Sequence, residues 1–453
     1  MMAPDLPVPR NQERFPELHP ALDSQAALAE ANRCLFCFDA PCMGACPTHI
    51  DVPRFIKKIA SGNLRGSALT ILEANILGLS CARVCPVDVL CEGACVMLRH
   101  GGKAIEIGRL QRFAMDYFYE SGIKLRGQAA PPAPPASPAS PGLACVGGGP
   151  ASLACAAELR RQGYQVTVFD NRPLPGGLNT YGVAEYKLRA SDSLREVELV
   201  RSLGVEFRRA EVGETVSLDD LEKDFSLIFL GLGLGGMERL GIPGDRAVGV
   251  MDALQFIERY KTSDHLQVGR RVVVIGGGNT AIDAANAAKR LGAEKVHLFY
   301  RRSEKEMPAF PFEFDQSRVE GVRFHWLAQP VEIVERDGRA AAVRFVETRL
   351  GDPDASGRRK AEPLGGAGFE VACDMVIPAL GQSGFMGLLH ESRGIGMNGR
   401  GIAIDRPTGR TSNPRYYAGG DCVNGGREVV DAVADGKRAA LAMARQLAEA
   451  VHG

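Results

Sequence analysis

The sequence predicts an α+α/β multidomain protein: an N-terminal helical domain followed by two Rossmann-like nucleotide-binding domains, the second inserted in the first. Three observations predict it. Eight of the 12 cysteines crowd between Cys34 and Cys95, in a stretch with helical apolar spacing and no strand-like run. A run of Pro, Ala and Ser then interrupts the chain. Beyond it, strand-like and helical segments alternate, and a glycine triplet twice follows a strand, after Val146 and after Ile275, as parallel βαβ units require.

Taken in order, residues 1–125 read as short helices around the cysteine groups, with Val52 to Ile59 and Ser67 to Ile76 carrying apolar residues at helical spacing. Residues 126–142 are a linker, since GQAAPPAPPASPASPG favours an extended, weakly packed connector. Residues 143–265 begin the first nucleotide-binding domain, 266–378 form the second, and 379–453 return to the first. The segments Ile228 to Gly235 and Val376 to Gly381 each run apolar into a glycine. They are the expected crossings between the two.

Lys plus Arg and Asp plus Glu number 54 each, so no net charge draws the chain to nucleic acid or to an anionic membrane. The N-terminus mixes prolines and charges where a signal peptide needs an apolar core, and no stretch is long and apolar enough to span a bilayer. A cytoplasmic protein is expected, with neither nucleic acid nor membrane as partner. In a reducing compartment, clustered cysteines point to metal rather than to disulfides.

The first cysteine group is Cys34-x2-Cys37-x4-Cys42-x3-Cys46-Pro47, and the second is Cys81-x3-Cys85-Pro86-x5-Cys91-x3-Cys95. Several thiolates converging from short spacings suit an iron-sulfur cubane, and a proline after the last cysteine turns the chain away. Bacterial ferredoxins share this grammar, and there the cysteine before proline ligates the other cluster. Ligands are therefore expected to interleave between the groups. Structural zinc, which also uses paired cysteines, is the alternative, and any one of the eight could be a packing residue.

Val146-Gly147-Gly148-Gly149-Pro150-Ala151-Ser152 places Gly-x-Gly-x-x-Ser at a strand-to-helix turn. The glycines permit the tight turn and the approach of a pyrophosphate to a helix N-terminus. The next strand ends in Asp170, where an acid can bond a ribose hydroxyl, as FAD requires. Gly276-Gly277-Gly278-Asn279-Thr280-Ala281 repeats the turn, but its second strand ends in Tyr300-Arg301-Arg302. Arginine there accommodates a 2′-phosphate, so this site is expected to prefer NADPH without excluding NADH. A solvated basic turn is the plainer explanation of the arginines. Pro175-Gly176-Gly177-Leu178 and Tyr417-Ala418-Gly419-Gly420-Asp421 supply two further glycine loops.

No nucleophile elbow, zinc-protease helix or Walker loop is present in the sequence, and the eight histidines are scattered. A nicotinamide gives up two electrons together while an iron-sulfur cluster takes one, and a flavin handles both. The cofactor set itself therefore implies electron transfer.

The segments CLFCFDAPCMGACPTHID, LGLSCARVCPVDVLCEGAC and IEIGRLQRF resemble the N-terminal half of dihydropyrimidine dehydrogenase and its two-subunit bacterial version, and also the small subunit of glutamate synthase. The resemblance covers nearly the whole chain. It implies two [4Fe-4S] clusters, one held by Cys34, Cys37, Cys42 and Cys95, the other by Cys46, Cys85, Cys91 and the amide of Gln111, with Cys81 a spectator. It also implies FAD contacts from Gly147, Gly149, Pro150, Ala151, Asp170, Gly177, Leu178 and Asp421, and NAD(P)H contacts from Gly276, Gly278, Asn279, Thr280, Arg301 and Arg302. Where the family commonly shows Ile-Pro-x-Phe-Arg-Leu-Pro, this chain has Val183-Ala184-Glu185-Tyr186-Lys187-Leu188-Arg189. The chain stops where an FMN barrel would follow. The expected activity is thus the electron-input subunit of a dihydropyrimidine dehydrogenase, feeding an FMN- and iron-sulfur-containing catalytic subunit that reduces uracil or thymine. The small subunit of glutamate synthase, or a related NADPH-dependent reductase, is the alternative.

Overall fold

The computed structural model describes residues 14–125, 142–263, 266–353, 357–366, 368–384, 393–399 and 401–452. The expected linker at 126–142 lies, apart from Gly142, outside the described residues. The chain divides into two compact units: residues 1–17, 181–186 and 236–383 form the smaller, and 18–180, 187–235 and 384–453 the larger.

The larger unit opens with helices Ser24–Asn32, Val52–Ala60, Leu64–Ala74, Gly78–Val84 and Ile107–Glu120. No strand occurs among the described residues before Gly142. Asp23, Asp51 and Asn63 cap the first three, each side chain accepting an N–H from the first turn. Phe55, Ile56, Ala68, Ile71, Leu110 and Met115 are fully buried between these helices, and their core is continuous with Leu143 and Val168 of the sheet that follows and with Leu153 on the helix Pro150–Arg161 beside it. The last carbonyls of helix Leu64–Ala74 take cations from that neighbour: Arg161 bonds Leu72 O at 2.9 Å, and Lys437 bonds Glu73 O at 3.0 Å and Ala74 O at 3.2 Å. Cations at a helix C-terminus satisfy orphan carbonyls and complement its dipole.

The sheet has five parallel strands in the order Tyr416–Ala418, Phe225–Leu230, Gly142–Val146, Val166–Asp170, Glu206–Arg209. Helices Pro150–Arg161 and Val429–His452 pack closely, and a Cβ on Gly436 would stand 2.0 Å from Ala151 O.

In the smaller unit a four-stranded parallel sheet runs Met375–Pro378, Arg271–Ile275, Lys295–Tyr300, Arg323–Trp326. An antiparallel sheet of Ala328–Arg336, Arg339–Pro353, Arg359–Pro363 and Phe369–Ala372 is inserted before its last strand in sequence. Its first hairpin turns at Asp337-Gly338, both with positive φ (52° and 72°), which is the two-residue turn that Asp-Gly favours.

Of residues 236–265, assigned from sequence to the first nucleotide domain, the described ones, 236–263, fold mainly with the second. Val250 bridges to Val376, and helix Ala253–Thr262 packs on helix Asn279–Arg290. The division accordingly falls at 235/236 and 383/384 rather than at 265/266 and 378/379. Just inside the smaller unit, residues 236–238 and 381–383 run side by side, with Glu238 N–H donating to Gly381 O at 2.8 Å and Ser383 N–H to Gly236 O at 3.0 Å. Among the described residues no single helix is long and apolar enough to cross a membrane.

Candidate redox site

All twelve cysteines are free of disulfides. Cys34, Cys37, Cys42 and Cys95 line one cavity, whose other walls include Ala40, Pro41, Val52, Ile56 and Ile107. This apolar setting pushes the Cys42 thiol up to about 11 by burial, with Cys34 and Cys95 adding to the effect. Cys46, Cys81, Cys85 and Cys91 form a second neighbourhood. The Cys85 thiol is pushed well up by a hydrogen bond with Cys81, by burial, and by Cys91 and Cys46, and Cys91 is raised chiefly by burial. The last cysteine of each sequence group thus sits with the other side of the interleaved set: Cys95 beside Cys34 and Cys42, Cys46 beside Cys85 and Cys91.

Cys81 is buried and its Sγ accepts from Asn75 Nδ2 at 3.2 Å. Gln111 is also buried, on helix Ile107–Glu120, and its Nε2 donates to Gly78 O at 2.8 Å. Thiols ringed around an apolar cavity suit an iron-sulfur cluster, because thiolate ligation offsets the cost of burying charge there. Among the described residues no group of three or more His, Cys, Asp or Glu converges as a single-ion site.

At the first glycine turn, Gly147 takes φ 92° and a Cβ there would meet Gly231 O at 2.3 Å. The Asp170 carboxylate accepts Gly148 N–H at 2.6 Å and Arg172 N–H at 2.8 Å, and burial raises its pKa. Gly177 folds back so closely that a Cβ would lie 2.9 Å from Gly149 Cα. Pro150 and Ala151 open the helix, and Leu178 begins the short helix after Gly177. Asp421 belongs to the same end, since Gly420 backs onto Ala151; its carboxylate accepts Arg427 N–H at 3.3 Å and is raised by burial. The four loops thus form one backbone cradle that side chains would fill, as a dinucleotide site needs.

In the smaller unit, Gly276 and Gly277 are closed in: Cβ atoms would meet Ala379 O at 2.4 Å and the Tyr300 ring at 2.6 Å. Gly278 has open space and begins helix Asn279–Arg290. Asn279 Oδ1 accepts Phe310 N–H at 3.0 Å, and Thr280 is half-buried. Arg301 is exposed beyond the strand end, whereas Arg302 is buried, its Nε donating to Arg359 O at 2.7 Å and its Nη1 to Tyr300 Oη at 3.4 Å.

Sequence reasoning missed the use of the divergent stretch 183–189. The Tyr186 hydroxyl donates to Asp283 at 2.7 Å and accepts from Asn286 at 3.2 Å, while the Arg290 guanidinium lies 4.2 Å over its ring. Lys261 bonds Val183 O at 2.7 Å and faces Glu185 at 3.7 Å. The spacing of Asp283, Asn286 and Arg290, one face of a helix, was the available signal. Glu196 was also missed. It is fully buried, and its pKa is pushed up to about 7 by burial against the pull of hydrogen bonds from Ser80 and Leu79.

Residues 10–123 match the family described as dihydropyrimidine dehydrogenase domain II, 4Fe-4S cluster, and residues 142–436 match the pyridine nucleotide-disulphide oxidoreductases. The chain belongs to the pyridine nucleotide-disulphide oxidoreductase family. Within this family it is 37% identical over 454 residues to the glutamate synthase [NADPH] small chain of Escherichia coli (strain K12), covering 96% of this chain and 95% of that one. It is 35% identical over 429 residues to the beta subunit of the NADP(+)-dependent formate dehydrogenase of Moorella thermoacetica, covering 90% of this chain and 60% of that one. Mycobacterium tuberculosis FprA in complex with NADPH shares the fold, with a TM-score of 0.57 at 19% identity over 69% of this chain and 86% of that one. The chain is therefore an oxidoreductase with a 4Fe-4S domain joined to Rossmann-like domains for FAD and a nicotinamide nucleotide. A specific tie to dihydropyrimidine reduction is not among these findings; the glutamate synthase alternative accounts for them better.

Proposed function

We propose that the chain is the electron-input subunit of an NADPH-dependent iron-sulfur flavoprotein of the glutamate synthase small-chain type. The observation that carries this reading is the match to that small chain, which spans 96% of this chain and 95% of that one. When bound, FAD would supply the conversion between a two-electron nicotinamide donor and one-electron iron-sulfur clusters.

The chain's own residues supply binding and orientation. Gly147, Gly149, Pro150, Ala151, Gly177, Leu178 and Asp421 would form the FAD cradle, with Asp170 fixing the Gly148 turn and the adenosine ribose. Gly276, Gly278, Asn279 and Thr280 would receive the nicotinamide nucleotide, and Arg301, exposed beside the strand end, would take the 2′-phosphate. Arg302, occupied by Arg359 O and Tyr300, would act through the shape of that turn. Cys34, Cys37, Cys42 and Cys95 would hold one [4Fe-4S] cluster, and Cys46, Cys85, Cys91 and Gln111 a second.

The partner would be a larger catalytic subunit carrying FMN and an iron-sulfur centre. Leu35, Phe38 and Val89 support a protein partner, because they are exposed apolar side chains within the cysteine loops themselves. Clustered reduced thiols also fit the cytoplasm. Uracil reduction is the second reading, favoured only by the description of the family that residues 10–123 match. Co-purification with the native partner, followed by anaerobic assay with glutamine plus 2-oxoglutarate and separately with uracil, tests both. Glutamate formation supports the first; uracil reduction alone overturns it.

A further inference from the structure

Glu196 lies on helix Ala190–Ser202 of the sheet-bearing part of the larger unit, but its carboxylate is spent on the cysteine-bearing part. Its side chain is 1% exposed. Oε1 accepts Leu79 N–H at 2.8 Å and Ser80 N–H at 3.0 Å, and Oε2 accepts the Ser80 hydroxyl. Burying a carboxylate is costly unless it is hydrogen-bonded, and a neutral Ser or Asn is the ordinary acceptor for an orphan helix amide. The acid's two oxygens serve three donors of one turn, two amides and a hydroxyl, so one side chain of the flavin domain holds the start of a helix in the cysteine domain.

The helix it holds, Gly78–Val84, bears on the second cysteine neighbourhood in three ways. Gly78 O accepts a hydrogen bond from Gln111 Nε2, which leaves the amide's Oε1 as the atom that could ligate a metal. Cys81, on its last turn, is tied to Asn75 Nδ2. Cys85 caps its end. Asn75 Oδ1 also accepts Leu77 N–H at 2.9 Å, so the turn before the helix is fixed from within the cysteine domain while its first amides are fixed by Glu196.

We propose that Glu196 is the positioning residue for the amide-ligated cluster: by fixing helix Gly78–Val84 it sets Gln111 Oε1 and Cys85 together, so that the flavin domain completes the ligand geometry of a cluster in its neighbour. The inference rests on the reading of Gln111 as a ligand. Its consequence is that the cluster facing the flavin domain attains its native potential only when that domain is folded against it.

The test uses the full chain, reconstituted anaerobically, with three variants: Glu196→Ala, Glu196→Gln and Gln111→Leu. Iron content, FAD content, the EPR spectrum of the reduced protein and the midpoint potentials of its clusters are measured. Glu196→Ala is expected to keep FAD and one cluster unchanged while shifting the potential and EPR signature of the other, as Gln111→Leu does. Glu196→Gln retains an oxygen for the Leu79 and Ser80 amides and is expected to restore the EPR signature, which also serves if the alanine variant fails to fold. Unchanged spectra and potentials in the Glu196 variants, with Gln111→Leu altered, overturn the positioning role alone. An unchanged Gln111→Leu protein overturns the ligand reading and the positioning role with it.

Discussion

Gly277 and Gly278 are adjacent residues with opposite surroundings, and the difference separates folding from binding. A Cβ on Gly277 would meet the Tyr300 ring at 2.6 Å, whereas one on Gly278 meets nothing within 4 Å. Gly278→Ala should leave the melting temperature and FAD content unchanged and weaken NADPH binding at least tenfold, roughly 1.4 kcal/mol, because only the nucleotide's pyrophosphate would contact the new methyl. Titration of flavin reduction against NADPH checks it; unaltered affinity would remove this turn from the site. Arg301→Ala should raise KM for NADPH by about 10- to 100-fold, from ~1.5–3 kcal/mol for a lost charged hydrogen bond, and leave KM for NADH nearly unchanged. Equal losses with both nucleotides would assign Arg301 another role. The arginine pair was legible in the sequence as a pair, but not its division of labour. That depends on Arg359 O, a carbonyl 57 residues away, which no local pattern reveals.

At the scale of single elements, helix Val429–His452 crosses helix Pro150–Arg161 at Gly436, where a Cβ would stand 2.0 Å from Ala151 O and 3.0 Å from Cys155 N. Glycine inside a helix ordinarily costs about 1 kcal/mol relative to alanine, so Gly436→Ala would stabilise an isolated helix. Here backbone atoms that cannot move aside oppose it, and overpacking of ~1–3 kcal/mol should lower the thermal midpoint and loosen FAD. A raised midpoint with FAD retained would show that the crossing has room for a methyl group. Strands Lys295–Tyr300 and Arg323–Trp326 carry a second test. His297 and His325 lie ring to ring, Nδ1 to Nε2 at 2.8 Å. Burial lowers both, with His325, Arg323 and Lys295 adding to the effect on His297, and Arg323 on His325. A histidine whose folded pKa lies below its unfolded value stabilises the fold above about pH 6.5 and loses that contribution as pH falls. Melting temperature should therefore drop between pH 7.5 and pH 5, and drop less in the double variant His297→Asn, His325→Gln. An identical slope would rule the pair out as a source of the acid sensitivity. The βαβ strands themselves were readable within a residue or so, as Arg271 to Ile275 and Lys295 to Tyr300 illustrate. The antiparallel insertion was not foreseen, although Asp337-Gly338 was its signature, because its strands carry polar, half-exposed faces such as Arg359–Pro363 rather than a clean alternation.

Across the whole molecule, the cysteine-bearing helices and the first sheet share one apolar core, a union that the Pro/Ala/Ser run between them disguised. Sequence periodicity marks which face of a helix is apolar but not which neighbour covers it, so the core that the two domains share could not be read from the sequence. Exposed Phe38, 99% accessible, stands in the loop between Cys37 and Cys42. Phe38→Asp should leave the isolated chain's NADPH-dependent flavin reduction intact and weaken association with the catalytic partner at least tenfold, as measured by analytical ultracentrifugation of the mixed subunits. Undiminished assembly would place the interface elsewhere.

The order of strands in the five-stranded sheet also governs how the chain can be made. Strand Phe225–Leu230 is flanked by Gly142–Val146 and by Tyr416–Ala418, and the second of these leaves the ribosome after every other strand among the described residues. Until then one side of Phe225–Leu230 is an apolar edge with unpaired amides, the kind of surface that pairs with other chains. Asp421 and the Gly436 crossing arrive later still. FAD is therefore expected to load only after Tyr416–Ala418 has been made, and a chain terminated shortly before it is expected to lack flavin absorption and to aggregate, with every cysteine of its cluster domain already in place.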